Sequence, residues 1–213
     1  KRKEQKMMKQ YKWLKQLYVW AIVFCIAVSF MPIPVFAEPD DTQTETTEEP
    51  VIPEDAVYIS TAEDLLKFAE DCIEDTWSQG KTFVLSADID LTGVEFYGVP
   101  TFGGTFYGQG HTVSGIDMQK DNSVVGFFRY VQKNAIVDGL NLEGTISPKS
   151  NPTVGAVVGC NYGTIQNCNV KATVSGSEQI GGIAGWNKTT GVIDNCLLSV
   201  LLLLILLCNN MHY

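Results

Sequence analysis

The sequence predicts an all-β chain, a right-handed parallel β-helix (solenoid) opened by a short N-terminal capping helix. Three observations predict it. All nineteen glycines lie at or after Gly80, so one part of the chain is punctuated by turns and the rest is not. Within that part, short alternating apolar strands recur with a period in the twenties, which is the signature of stacked rungs. Directly ahead of the first such strand stands a glycine-free amphipathic segment that can cover the open end of a stack.

Charge divides the chain in the same places. Seven of the fifteen basic residues fall in the first fifteen positions, leaving eight basic and twenty-three acidic side chains beyond them. Such a chain is repelled by phosphate backbones, so no nucleic-acid partner is expected. Fourteen acids lie between Glu38 and Asp75 against a single lysine, Lys67.

Residues 1–37 have the three-part order of a secretory signal. A basic stretch ends at Lys15, an apolar run covers 17–31, and Pro32 and Pro34 break the helix ahead of Val35-Phe36-Ala37. Cleavage is expected between Ala37 and Glu38, giving a secreted, cell-surface protein that meets a membrane only through an uncleaved leader. Residues 38–56 (EPDDTQTETTEEPVIPEDA) offer almost no apolar surface to offset the entropy of ordering, and read as a disordered acidic spacer.

The folded domain is expected over 57–198. Val57-Tyr58-Ile59 reads as a lead-in strand, and Ser60-Thr61-Ala62-Glu63 has the form of a capping box with Ser60 as cap. Leu65, Phe68, Ala69, Cys72 and Ile73 then follow at helical spacing. Farther on, FVLSADIDL (83–91) reads as one alternating strand.

The repeat is explicit in the second half. VDGLNLEGTI (137–146) aligns with IQNCNVKATV (165–174) at an offset of 28, and Ile193 to Leu198 align at a further 28. VGAVVGCN (154–161) aligns with IGGIAGWN (180–187) at 26, and TVSGIDM (112–118) with the stretch from Val137 at 24. Stacking turns at roughly 4.8 Å makes ladders of equivalent residues. The expected inward ladders are Val137/Ile165/Ile193 and Leu140/Cys168/Cys196. Asn161/Asn187 and Asn167/Asn195 are expected as amide ladders. Gly155/Gly181 and Gly159/Gly185 should mark corners that need either positive φ or close backbone approach.

GAVVGCNYGTIQNCNV and GGIAGWNKTTGVIDNC resemble the GLUG-type repeat of bacterial surface proteins. SADIDL, FGGTFYGQGHTVSGIDM and VVGFFRYV resemble the rungs that precede it, so the likeness runs over about 57–198. Tyr107 and Arg129-Tyr130 depart from the pattern without disturbing the fold. The resemblance implies export and a surface or adhesive role. Some members adjoin peptidase domains, but this chain has no H-E-x-x-H, and that chemistry does not carry over.

Catalytic material is sparse. His111 sits in a glycine turn, His212 is penultimate, and no nucleophile elbow is present. Asp88 and Asp90 project to one side of a strand and are the closest approach to paired carboxylates, with Asp117, Asp138 and Asp194 scattered elsewhere. No cofactor and no metal site are expected. The leading expectation is a non-catalytic adhesion or ligand-binding module whose partner is an extracellular glycan, matrix or wall component. A polysaccharide lyase or hydrolase is the alternative, and a purely structural wall component or fragment of a larger surface protein is the third. Residues 199–213 abandon glycine and repeat alike, and read as a truncation or frameshift beyond the last rung.

Overall fold

A computed structural model describes residues 50–120, 122–149, 152–176 and 179–199. The leader with Ala37 and Glu38, the spacer to residue 49 and the tail from residue 200 lie outside the described residues. Among the described residues the chain winds as a parallel β-solenoid of five turns behind a lead-in strand and one helix.

The lead-in is β1 (Val57–Ile59), followed by α1 (Ala62–Asp71). The first turn carries β2 (Thr82–Leu85) and β3 (Ile89–Asp90). The second carries β4 (Val99–Phe102), β5 (Thr105–Tyr107) and β6 (Thr112–Met118). Four strands make each of the rest: β7 (Val124–Val125), β8 (Phe128–Val131), β9 (Ile136–Asp138) and β10 (Asn141–Ile146); then β11 (Thr153–Gly155), β12 (Val158–Asn161), β13 (Thr164–Gln166) and β14 (Asn169–Val174). The last turn is β15 (Ile180–Gly181), β16 (Ala184–Asn187), β17 (Val192–Asp194) and β18 (Leu197–Leu198).

Equivalent strands pair in parallel to give four sheets, ordered β1-β2-β5-β9-β13-β17, β3-β6-β10-β14-β18, β4-β8-β12-β16 and β7-β11-β15. The offsets of 28 and 26 hold in the pairing, with Ile165 opposite Val137 and Ile193, and Val154 opposite Ile180. One inward ladder therefore runs Phe83, Phe106, Val137, Ile165, Ile193. Its first four members are fully buried, and Ile193 on the last turn is 38% exposed.

Two readings of the chain are corrected. FVLSADIDL is not one strand: β2 and β3 lie in different sheets, because Ser86 turns the corner with its N–H donated to Ile59 O. The offset of 24 does not link 112–118 to Val137. Instead β6 pairs with β10, Val113 opposite Leu142, and the register slips by one residue before Ile116 meets Gly144. Tertiary pairing decides this, because alternating apolar residues match equally well in several frames.

The helix forms where expected, with its cap one residue later. Thr61 is the N-cap: its Oγ1 accepts from Asp64 N at 3.1 Å, and Asp64 Oδ2 accepts from Thr61 N at 3.0 Å. The first helical bond, from Leu65 N to Thr61 O, starts one residue after Ser60, which directly follows the paired strand residue Ile59. The Ser60 N–H and hydroxyl join the same Asp64 carboxylate. Those donors, Thr61 first, hold the Asp64 carboxyl below its ordinary value. The helix ends before Ile73, which is exposed and not part of its apolar face.

Leu65 and Phe68 are buried and project into the start of the stack. The Phe68 ring lies 4.7 Å from Phe83 and 5.9 Å from both Phe102 and Phe106. The helix thus covers the first two turns, and Thr101 N donating to Cys72 O ties its end to β4. Burying a phenylalanine in this way is worth about 1.5–3 kcal/mol. The core is aromatic here and aliphatic from Val137 onward.

Candidate functional site

The repeat-motif residues hold the stack together. Gly155, Gly159, Gly181 and Gly185 all lie outside the positive-φ region; their role is close approach. A Cβ on Gly155 would strike the backbone of Val158 and Gly185, and one on Gly181 would strike Ala184 O. A Cβ on Gly159 would meet the Val124 side chain, and one on Gly185 the backbone of Val154. Positive φ is used at a different corner, between the strands of the two largest sheets. There Gly139 (φ 68°) is followed, turn by turn, by Asn167 (φ 54°) and Asn195 (φ 45°). Asparagine is among the few residues that enter this region at low cost.

Both amide ladders are present. Asn161 is fully buried, donating to Asn187 Oδ1 at 2.8 Å and to Gly163 O and Val192 O at 3.2 Å, while its Oδ1 accepts from Gly163 N at 3.1 Å. Asn195 donates to Asn167 Oδ1, and Asn167 to Asp138 Oδ1, each at 2.7 Å. Beneath Asn161 the ladder is apolar, its register partner being Val131.

Cys168 is buried and Cys196 half-buried; with Cys72 and Cys160 they are free thiols. Hydrogen bonding to Cys196, then burial, pushes the Cys168 thiol up. The same contact lowers Cys196 to about 7. Burial pushes Cys72 up to about 12.

Asp88, Asp90 and Asp138 are engaged structurally. Asp88 is not on a strand; it accepts from Thr112 N at 2.8 Å, and His111 Nδ1 lies 3.2 Å away. Asp90 caps the turn at Thr92, accepting from its N–H at 2.9 Å and its hydroxyl at 2.6 Å. These bonds, the backbone one first for Asp88 and the hydroxyl one first for Asp90, hold both carboxyls below their ordinary value. Asp138 and Asp194 lie on one ladder with Gln166 between them, and Gln166 Nε2 donates to Asp138 Oδ2 at 3.0 Å. Among the described residues no three His, Cys, Asp or Glu side chains gather as a metal site, and no helix is long and apolar enough to cross a membrane.

One concavity was missed by sequence reasoning. The first two turns have no strand in the place that β7 takes in the third, so the chain between β3 and β4 loops across that position. Together with the segment leaving β6 it walls a cleft of about 610 Å³, within the size range of small-molecule sites. Buried Phe96, Met118 and Val125 line its apolar base. Phe96 is anchored against Phe127, ring centroids 5.2 Å apart. Tyr97 stands exposed at the wall, its hydroxyl donating to Glu95 Oε2 at 2.5 Å and Lys120 Nζ lying 3.9 Å from its ring centroid. Opposite, Gln119 Nε2 donates to both Asp117 oxygens, at 3.0 and 3.1 Å. Asn122 completes the polar lining. No sequence motif marks this site, since it arises from a strand that is missing.

Fold and ladders together define a parallel β-solenoid repeat protein. Residues 150–175 match the GLUG motif, so the chain carries that repeat where the ladders are built. It is similar to halomucin of Haloquadratum walsbyi, 34% identical over 85 residues, which is 39% of this chain and 1% of that protein. It is also similar to a protein of Evansella cellulosilytica that carries the name Gly-rich membrane protein. There the identity is 26% over 188 residues, 68% of this chain and 20% of the relative. The chain thus spans a small part of either relative's length. No solved structure gives a significant match.

Proposed function

We propose that the chain is an exported cell-surface repeat protein that works without catalysis, presenting a ligand-contact surface on a rigid solenoid. A single observation carries this reading: the ladder asparagines of the GLUG-type blocks are consumed in holding one turn to the next. Asn161, Asn167, Asn187 and Asn195 bond within the ladders and the turn beside them, so the repeat is scaffold. Recognition then falls to surfaces outside the ladders, among them the Tyr97 cleft. The names of the two relatives, halomucin and a Gly-rich membrane protein, support placement at the cell surface.

Binding of the purified chain to an array of glycans, matrix proteins and wall polymers tests this. Saturable binding to one class is the expected result. Silence from a sample shown by circular dichroism to be folded and β-rich would overturn it. Glu95 and Asp117 both line the cleft, so glycan cleavage is the second reading. Release of shortened products from a bound glycan would replace the non-catalytic reading with that one.

A further inference from the structure

We infer that the Tyr97 cleft takes a segment of neutral oligosaccharide. This rests on the proposed role of the chain as a ligand-contact protein, and adds to it the place and the chemical class. A pyranose ring has an apolar C–H face and an edge of hydroxyls that both donate and accept. The cleft offers a complement to each. Tyr97 provides an exposed aromatic ring beside an apolar base of Phe96, Met118 and Val125. Its hydroxyl donates to Glu95 and the Lys120 ammonium lies over its ring, and both contacts restrict its orientation. A ring held in this way loses little freedom when a ligand stacks on it.

The polar lining suits hydroxyls better than fixed charges. An ionised carboxylate has about four acceptor sites. In this structure Asp117 receives only the Gln119 amide and Glu95 only the Tyr97 hydroxyl among the described side chains. Both retain acceptor capacity, while Asn122 and Lys120 supply donors. Two carboxylates against one ammonium disfavour an acidic sugar. The ammonium also weakens the attraction for a cationic peptide, which leaves a neutral, hydroxyl-rich ligand as the best complement.

Titration calorimetry of the full chain with cellotetraose, chitotetraose and mannotetraose tests the inference. Binding of at least one is expected. Tyr97→Ala should weaken it about tenfold, the upper range for loss of one aromatic stack. Tyr97→Phe, which keeps the ring, should stay within about threefold on the same ground. Trp186→Ala, an exposed aromatic on the last turn, should leave affinity unchanged. Because Tyr97 and Trp186 are both exposed, these variants should melt with the parent, and a melting curve checks that they do. Absence of binding to all three tetrasaccharides overturns the inference; the array described above then shows whether the wider reading falls with it. Binding that survives Tyr97→Ala but is lost in Trp186→Ala overturns the site alone. Binding of tetralysine in place of the sugars, steeply weakened by salt, overturns the ligand class.

Discussion

Asparagine occupies the same motif position in two successive turns, at Asn161 and Asn187, yet replacing each by alanine should have different consequences. Asn161 has no exposed surface, and its side chain makes four hydrogen bonds. Removing it orphans the N–H of Gly163, a buried residue, and withdraws a donor from Gly163 O, Val192 O and Asn187 Oδ1. A buried donor left unpaired costs about 1–3 kcal/mol. Val192 O and Asn187 Oδ1 belong to the last turn, where water can replace part of what they lose, and Gly163 O keeps the donor Val192 N. Asn161→Ala should therefore destabilise by about 3 kcal/mol on this accounting. Asn187 is exposed, and the Asn161 amide keeps its bonds to Gly163 and Val192 without it. Its replacement should cost under about 1 kcal/mol. Urea unfolding of the full chain, followed by tryptophan fluorescence, gives both values from midpoints provided the slope is unchanged. Equal costs for the two variants would refute the claim that burial, and not the motif, sets the contribution.

Three further outcomes follow from the structure. Gly155→Ala should destabilise by about 1–3 kcal/mol, since its methyl group meets backbone that must shift, whereas Gly139→Asn should be tolerated because Asn167 and Asn195 already take that conformation one and two turns on; equal melting temperatures for the two variants would contradict this. In the folded chain iodoacetamide should modify Cys196 with a rate that rises through a pH of about 7 and then levels, while Cys72 and Cys168 stay unmodified, as read by peptide mass spectrometry. On the acid side, Asp64, Asp88 and Asp90 all have folded-state values below the ordinary one, so their contribution is present at neutral pH and is lost as pH falls through and below the carboxylate range. Asp64→Asn should flatten that acid-side loss in a melting-temperature profile, and an unchanged profile would count against the capping box.

Much of this protein was legible in its sequence because a solenoid repeats its contacts at fixed spacing. The offsets of 28 and 26 gave the register of the last two turns in every sheet and of the third turn in the two largest, and hence the ladders of Val137, Ile165 and Ile193 and of Asn161 and Asn187. Each such contact joins residues at a constant separation, so a comparison of the chain with itself finds it. The helix was legible for a similar reason, through local periodicity and a capping tetrad. What failed was local choice under long-range control. The cap fell on Thr61, where the first helical bond starts, and the strand read over 83–91 broke at Ser86 because its halves join different sheets. The early turns also depart from the period, so β6 found β10 through a slipped register that no single offset describes.

The sequence by itself determined the parallel stack, the segment that covers its start, and the residues that ladder. Only the tertiary structure decided which corner uses positive φ and which uses close approach, because both demands select glycine and differ only in what lies opposite. It alone placed the cleft as well. Tyr97, Asp117 and Gln119 come together because the first two turns lack a strand that the later three possess, and an absent strand leaves no motif to read.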